Sequence, residues 1–313
     1  MSIITDIAHI DRQAWQTLMT GSPVASWFQS PEAYDFLVAV NDCLMPFVVA
    51  VEDDGLKGVV IGYTVANKGL QKPFTSRTVI NGGPLLAADI SEQALEALMN
   101  AVPHDAIYAE TRNYADFSRW NDPIQRAGWH AEPHYDVHID IDNLWRERIR
   151  TDEQQQIRKA LREGQTWSLA QTEQDVRDWY FMLKRLYTRK VHRPIFPVRF
   201  FLTAWQTGVC KVLVVRDKDQ YIIGGSLIPS WGTTAYEWYK SGPVMATYSI
   251  LEYCEQNGIK RLDMMGGGSP EQPYSVREFK VRMGGDLCPF GRFMRIQKPL
   301  RYKLGKAVVN KLL

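Results

Sequence analysis

One stretch, Asp263 to Asp286, combines residue types that could hold a ligand and act on it. Its sequence, DMMGGGSPEQPYSVREFKVRMGGD, runs from a strand end into three glycines and a polar turn. After Asp263, Gly266 and Gly267 let the backbone turn sharply or come close to a ligand. Ser-Pro and Gln-Pro pairs then mark a loop. Because glycine loops are common, a plain turn-rich connection stays open as an alternative.

A short helix after this loop carries an aromatic and a basic side chain next to each other. Ser275 could cap its first turn, and Gly284-Gly285 would end it. Phe279 and Lys280 lie between these signals. Judged by these residues alone, a core phenylalanine beside a solvated lysine explains the pair equally well.

Charge is divided unevenly along the 313 residues, although the net charge is only +2. Residues 1–145 hold 8 Lys/Arg and 19 Asp/Glu, whereas residues 146–313 hold 29 and 16. The segment from Trp179 through Arg216 holds eight basic residues and no acidic residue. This asymmetry favours a basic half suited to a polyanion. Attraction between an acidic and a basic half is the alternative.

Several classes of protein are disfavoured by the sequence. No run reaches the ~18 apolar residues of a membrane span, and the N-terminus does not read as a signal peptide. The four cysteines are far apart, which is typical of thiols in a reducing compartment. The six histidines lack metal-ligand spacing, and none is paired with a nucleophile, so neither a metal site nor a Ser-His-Asp enzyme is expected. We therefore expect a cytoplasmic protein without a transmembrane segment.

The elements that must position Lys280 follow an α+β pattern that each half of the chain uses once. The second half begins with a basic helix and a short strand before the antiparallel strands. Its main predicted elements are helices at 173–190 and 198–206, strands at 211–216, 221–228 and 233–240, and a helix at 248–257. In the first half, Ser30 as N-cap with Pro31 after it predicts a helix start.

Segments from both halves together resemble the FemABX-type branch of the GNAT-like acyltransferase superfamily. The matching segments cover nearly the whole chain and occur in the family's order. They are Trp27 to Pro31, Asn81 to Pro84, Ile157 to Ala160 with Gly164, Gly224-Gly225, Glu237 to Tyr239, Leu262-Asp263 with the glycine loop, and Glu278 to Lys280 with Gly284-Gly285.

The resemblance implies an α+β fold of two tandem GNAT-like domains, each with a mixed sheet flanked by helices. Residues 1–145 would form a degenerate first domain, joined by a C-terminal helix at 298–313. Residues 146–297 would form the transferase domain.

The resemblance also implies a transferase that moves an acyl or aminoacyl group onto an amine, most simply of a cell-envelope or peptidoglycan precursor. Aminoacyl-tRNA would be the donor, with no cofactor required. An acyl-CoA donor acting on an amino sugar or small amine is the alternative, although residues 242–247 lack the usual pyrophosphate-binding pattern of GNAT enzymes. A non-catalytic binding protein on the same scaffold is a further alternative.

Within that family reading, three residues are candidates for the chemistry. Lys280 would stabilise developing charge, and Phe279 would form an aromatic wall beside it. Asp263 would orient the substrate amine, or would cap the glycine loop.

Further residues are candidates for binding substrate. Tyr239 could reach the site with its hydroxyl, or could be a packed strand aromatic. Arg158 on the basic helix and Arg193 after the long helix could contact phosphate, with solvated charge as the alternative. Lys72, in a basic loop of the acidic half, is a candidate contact for the acceptor.

The terminal segment, residues 298–313, has leucines and a valine on one side with basic residues around them. Docking onto the first domain is the plain interpretation. The more specific interpretation is that the segment contacts the inner membrane surface peripherally, near a lipid-linked acceptor.

Overall fold

The computed structural model describes residues 1–65 and 75–312. The chain separates into two compact units. Unit 1 comprises Met1–His134 and Pro289–Leu313, and unit 2 comprises Tyr135–Cys288.

Unit 1 is built on a mixed sheet. Its strands are β1 (Ser2–Ile4), β2 (Met45–Glu52), β3 (Leu56–Val65), β4 (Arg77–Asn81), β5 (Leu85–Leu86), β6 (Tyr108–Arg112), β7 (His130–Glu132) and β17 (Arg292–Ile296). Within the described residues the order is β1-β2-β3-β4-β6-β17-β7, with β5 beside β3. The β4–β6 pair is parallel and the others are antiparallel.

The helices of unit 1 are α1 (Arg12–Gly21), α2 (Pro31–Ala39), α3 (Glu92–Asn100), α4 (Asn121–Arg126) and α11 (Pro299–Leu312). The predicted start of α2 is confirmed, because the Ser30 hydroxyl accepts a hydrogen bond from the Ala33 amide (3.1 Å). The apolar faces of α3 and α4 contribute Leu95, Leu98 and Ile124 to a core that also contains β-strand valines.

Unit 2 contains two sheets. Its strands are β8 (Asp136–Asp140), β9 (Thr166–Leu169), β10 (Lys211–Arg216), β11 (Ile222–Ile228), β12 (Ser230–Trp231), β13 (Thr234–Tyr236), β14 (Tyr239–Ser241), β15 (Arg261–Asp263) and β16 (Asp286–Cys288). One sheet is antiparallel, in the order β14-β11-β10-β9. The other has the order β12-β13-β15-β8-β16, in which β13 and β15 are parallel.

The helices of unit 2 are α5 (Trp145–Arg148), α6 (Thr151–Arg162), α7 (Glu173–Leu186), α8 (Val198–Gln206), α9 (Met245–Gln256) and α10 (Ser275–Arg282). The predicted helix at 173–190 is an α-helix only to Leu186. A π-helical turn, Tyr187–Val191, follows and ends at His192 in the left-handed region (φ 53°). Residues of α9, including buried Cys254, pack against Val137, Ile139 and Leu262 in the core of this unit.

The boundaries between the units differ from those predicted at 145/146 and 297/298. The first lies at 134/135, because β8 pairs with β15 and β16 of unit 2. The second lies at 288/289, because β17 pairs with β6 and β7 of unit 1. Strand pairing, which the linear sequence does not reveal, therefore sets both boundaries.

Among the described helices, none has both the length and the apolar character needed to cross a membrane.

Candidate active site

The predicted strand at 233–240 is divided between the two sheets of unit 2, and the candidate site lies at this division. β13 pairs with β15, and the Glu237 amide still donates to the Asp263 carbonyl (2.8 Å). The Trp238 amide instead donates to the Leu227 carbonyl of β11 (3.1 Å), and β14 continues beside β11. The two sheets diverge here, so side chains from both can meet at the carboxyl end of β15.

The glycine loop after β15 is held by one aspartate and one lysine. Asp263 Oδ1 accepts a hydrogen bond from the Met265 amide (2.6 Å), which makes the aspartate a cap of the loop. Lys280 Nζ donates to the carbonyls of Met264 (2.5 Å), Met265 (3.0 Å) and Gly266 (2.9 Å). Met265 has a positive φ of 62°, a conformation that costs a non-glycine residue free energy. The three bonds from Lys280 hold the loop in that strained conformation.

Lys280 is only 6% exposed, and its burial lowers the pKa of its ammonium, while Glu237 and Asp136 oppose that shift. An ammonium has three protons, and the loop carbonyls use all three. In this conformation Lys280 therefore shapes the loop. Its direct stabilisation of a transition state stays a prediction.

Helix α10, which presents Lys280, begins differently from the prediction. Ser275 is its first residue rather than its cap, and Tyr274 at the cap position makes no side-chain capping bond. The predicted end is observed, since Gly284 has φ 92°. A Cβ at Gly285 would lie 2.4 Å from Val137 Cγ1, so only glycine lets the chain pass the sheet there.

Beside this loop, four side chains form a polar group with an aromatic wall. Lys240 Nζ donates to Thr247 Oγ1 (2.6 Å) and lies 3.8 Å from Glu237 Oε1. Thr247 Oγ1 donates to Glu237 Oε2 (3.3 Å). The Lys240 ammonium also lies 4.2 Å from the ring centroid of Phe279. Phe279 thus contacts Lys240, and its role as an aromatic wall beside Lys280 stays a prediction.

Glu237 and Lys240 give this group acid–base capacity. Glu237 is 7% exposed, and burial lowers the pKa of Lys240. A buried carboxylate next to a half-buried lysine can accept and return a proton. In the sequence, Glu237 lies on a predicted strand and in a segment that resembles the FemABX-type family, but no feature selected it, Lys240 or Thr247 as a site residue. Glu237 and Lys240 did give one signal in the sequence. A glutamate and a lysine three residues apart rarely belong to a buried strand, so this pair could have been selected as a candidate site.

A second polar group lies on the five-stranded sheet of unit 2. His138 Nε2 is 3.7 Å from Asp136 Oδ2 and 3.4 Å from Asp263 Oδ2. Burial, reinforced by Asp263, raises the pKa of Asp136 to about 7. Burial alone would lower the pKa of His138, but bonding to the two carboxylates outweighs it and raises that pKa to about 9. Sequence spacing could not reveal this group, because Asp263 comes from a distant strand.

Tyr239 and Gly267 have packing roles. The Tyr239 ring lies 5.0 Å from Phe201 and 6.2 Å from Tyr187, centroid to centroid, which fits a packed strand aromatic. The Gly267 amide donates to the Tyr135 carbonyl (2.6 Å), and a Cβ there would lie 3.0 Å from Tyr135 Cβ. Gly266, by contrast, is exposed and offers its backbone to solvent. Substrate contacts by these three residues stay predictions.

Two of the predicted basic contacts, Arg158 and Arg193, are exposed on the surface of unit 2. Arg158 is exposed on α6 and bonds within its own helix, to Gln154 (3.5 Å). Arg193 is exposed beyond the π-helical turn. In the described part of the chain, no hydrogen bond or ion pair joins either arginine to Lys280. Lys72 lies outside the described residues.

No protein-family model and no curated protein sequence matches the chain. Solved structures match it over nearly its whole length. FemX shares 13% identity at a TM-score of 0.69, covering 97% of this chain and 99% of FemX. L-PGS from Bacillus licheniformis shares 12% sequence identity at a TM-score of 0.59, and the match covers 94% of this chain and 95% of L-PGS. A tandem GNAT protein from the clavulanic acid biosynthesis pathway shares 11% sequence identity at a TM-score of 0.56. That match covers 95% of this chain and 98% of the tandem GNAT protein.

These likenesses confirm the predicted α+β class and the arrangement of two GNAT-like folds in one chain. At such low identities they show the fold alone, and residue roles must come from this chain's own geometry. The chain has a FemABX-like tandem GNAT fold.

Proposed function

We propose that this protein is a transferase that moves an aminoacyl group from aminoacyl-tRNA onto an amine of a cell-envelope precursor. One observation carries the proposal. Buried Glu237 and half-buried Lys240 lie at the point where two sheets diverge, beside a glycine loop that Lys280 holds in place. The group combines acid–base side chains with a strained, preorganised backbone segment.

Transfer to an amine makes limited chemical demands that this group can meet. The acceptor reaches the site largely as an ammonium and must lose a proton before it attacks the donor carbonyl. Glu237 is the carboxylate we assign to that proton. As the new C–N bond forms and the ester C–O bond breaks, the tRNA leaves as its ribose hydroxyl, which takes up a proton that the attacking nitrogen loses. Lys240, 3.8 Å from it, supplies positive charge near the developing oxyanion. The carbonyl–nucleophile distance of ~3–3.5 Å must come from positioned substrates rather than from a covalent intermediate.

The choice of donor rests on charge and on the start of α9. Exposed basic side chains lie on α7, on the π-helical turn and the segment after it, and on α8: Lys184, Arg185, Arg189, Lys190, Arg193 and Arg199. Such a surface fits a polynucleotide better than a single pyrophosphate. The first amides of α9 are already used, since Ala246 donates to Pro243 (2.9 Å) and Thr247 to Val244 (3.1 Å). This turn does not favour a coenzyme A pyrophosphate at the helix N-terminus.

Salt-dependent binding of tRNA tests the donor. The protein is expected to bind bulk aminoacylated tRNA, and the affinity should fall about 100-fold between 50 and 200 mM salt if some five phosphates are contacted. Arg189→Glu combined with Arg193→Glu should weaken binding further, because both side chains belong to the exposed basic run. Arg119→Glu, an exposed arginine of unit 1, serves as the matched control and should leave the affinity unchanged.

Binding of acetyl coenzyme A without binding of tRNA would favour the alternative, an acyl-CoA-dependent N-acyltransferase acting on an amino sugar or small amine. Binding of either donor without turnover on any envelope amine would instead favour a non-catalytic binding protein on this scaffold.

The exposed residues of the terminal helix α11 indicate where the protein could encounter its acceptor. Tyr302 docks it on unit 1, with its ring 5.6 Å from Tyr108 and its hydroxyl donating to Met294 Sδ (3.7 Å). Leu300 and Leu304, expected to dock, are instead 79% and 57% exposed. Exposed leucines among basic residues are typical of a helix that contacts an anionic membrane surface. We include such contact in the proposal.

Vesicle binding tests this contact. Replacing Leu300 and Leu304 together by serine should lower binding to phosphatidylglycerol-containing vesicles by about 100-fold or more, since each buried leucine contributes roughly 1.5–3 kcal/mol. Co-sedimentation measures the effect, with Val38→Ser, also an exposed apolar residue of unit 1, as the control. A wild-type protein that does not sediment with such vesicles would remove the membrane contact from the proposal.

A further inference from the structure

Three metal-ligating side chains lie on one face of the five-stranded sheet in unit 2. Asp136 and His138 are two residues apart on β8, so they point to the same side. Asp263 on β15 is the direct cross-strand partner of His138. The opposite face of the same strands carries Val137 and Leu262, which belong to the hydrophobic core. The sheet itself therefore fixes the relative positions of the three side chains.

Their ligating atoms converge. One ligand atom from each residue lies within 4.8 Å of the other two. The measured separations from His138 Nε2 are 3.4 Å to Asp263 and 3.7 Å to Asp136. Ligand atoms held tetrahedrally at 2.0–2.2 Å from Zn²⁺ lie ~3.3–3.6 Å apart. The separations match the edges of such a coordination shell better than they match hydrogen bonds, which are ~2.7–3.2 Å long.

The two carboxylates are buried and short of partners. Asp136 is 2% exposed and Asp263 is 1% exposed. Apart from these long contacts with His138, neither oxygen of Asp136, nor Asp263 Oδ2, has a hydrogen-bond partner among the described residues. The nearby Lys280 ammonium gives its three protons to loop carbonyls instead. Two buried carboxylates therefore share a single imidazole, and a divalent cation would compensate their charge more fully.

Asp263 is also oriented as a metal ligand should be. Its Oδ1 accepts the Met265 amide hydrogen bond (2.6 Å), which fixes the carboxylate and turns Oδ2 toward His138. Outer contacts of this kind hold ligands in place in known metal sites. An imidazole with two carboxylates suits Zn²⁺ and similar transition metals, whereas Mg²⁺ and Ca²⁺ prefer oxygen ligands alone.

We propose that Asp136, His138 and Asp263 form a binding site for one divalent transition-metal ion, of which Zn²⁺ is the best fit. The ion would tie β8 to β15 at the residue where the glycine loop begins. This inference does not depend on the transferase proposal, because its readout is bound metal rather than turnover.

Metal titration of the EDTA-treated full chain, carrying an affinity tag without histidines, tests the site. Wild-type protein should take up about one equivalent of Zn²⁺ by isothermal titration, and of Co²⁺ by its visible absorption. Asp136→Asn and Asp263→Asn should each lower the affinity by more than the ~10–100-fold that loss of an outer contact costs. Asparagine at 263 can still accept the Met265 amide bond, so the loop cap is retained.

Asp140→Asn is the matched control, since Asp140 lies on β8 but pairs with exposed Arg261 (2.8 Å). It should bind Zn²⁺ as the wild type does. X-ray absorption of the Zn²⁺-loaded wild type adds a readout that needs no variant and should report one imidazole with oxygen ligands. Failure of the wild type to bind any of these ions, unchanged binding by Asp136→Asn and Asp263→Asn, or sulfur ligation would overturn the proposal. In the first case, His138 would link the carboxylates as an imidazolium.

Discussion

Replacing Lys280 by methionine is expected to lower the free energy of unfolding by about 2–3 kcal/mol and to abolish transfer activity. The ammonium is the shared donor for the carbonyls of Met264, Met265 and Gly266. Methionine fills a similar volume but donates nothing. The Met264 carbonyl would lose its partner in a buried position, whereas the other two are partly exposed and would regain water. Removal of a buried charge offsets part of the loss.

Activity should fall because the loop loses its shape. The positive φ of Met265 persists only while surrounding contacts hold it, and Lys280 supplies three of them. Arginine at 280 should not restore the loop, since a planar guanidinium does not direct three donors toward converging carbonyls as an ammonium does. The same fold with a relaxed loop is therefore the expected state of the variant.

Urea unfolding and product formation measure the two effects separately. Lys184→Met, at an exposed position of α7, is the control and should change the unfolding free energy by less than ~0.5 kcal/mol. A Lys280→Met protein as stable as the wild type would mean that the lysine is not a clamp, and would return it to the predicted role of contacting substrate. A destabilised variant with unchanged turnover would place the glycine loop outside the active site.

The behaviour of Lys280 illustrates what the sequence can and cannot predict. The pattern of strands and helices was sufficient for an α+β class repeated in both halves, and the resemblance to the FemABX-type family supplied the tandem GNAT arrangement. Local signals also worked where one segment decides its own structure, as at Ser30 before α2 or Gly284 after α10. The direction of a lysine ammonium depends on the whole fold. The sequence could therefore select Lys280 but could not predict that it binds backbone carbonyls.

The missed features share one physical origin, which is pairing between distant segments. The segment at 233–240 is predicted as one strand because polar and apolar residues alternate throughout it. Its first part pairs with β15, whereas its second part pairs with β11 in the other sheet. That division creates the position of Glu237. In the same way, Asp263 meets His138 only because β8 pairs with β15. Secondary-structure propensity and residue spacing describe residues that are close in sequence. They carry no information on contacts between strands that are distant in sequence.

Replacing Glu237 by glutamine is expected to reduce the turnover number by about 10²–10⁴-fold, because general-base catalysis contributes that much. Glutamine keeps the size of the side chain and can still accept the hydrogen bond from Thr247. It cannot take a proton from an acceptor ammonium. Steady-state kinetics with a fixed donor and varied acceptor amine would measure the loss, which should fall on the turnover number more than on acceptor binding.

The pH profile distinguishes this role from a structural one. As pH rises toward the pKa of the acceptor amine, more of the amine arrives already deprotonated, so the deficit of Glu237→Gln should shrink. A merely structural lesion would give the same deficit at every pH. Glu255→Gln is the matched control, since Glu255 lies on α9 in an exposed ion pair with Arg146 (2.5 Å) and should not change turnover. Full activity of Glu237→Gln would assign the proton transfer to another group, with Lys240 the next to replace because its pKa is lowered by burial.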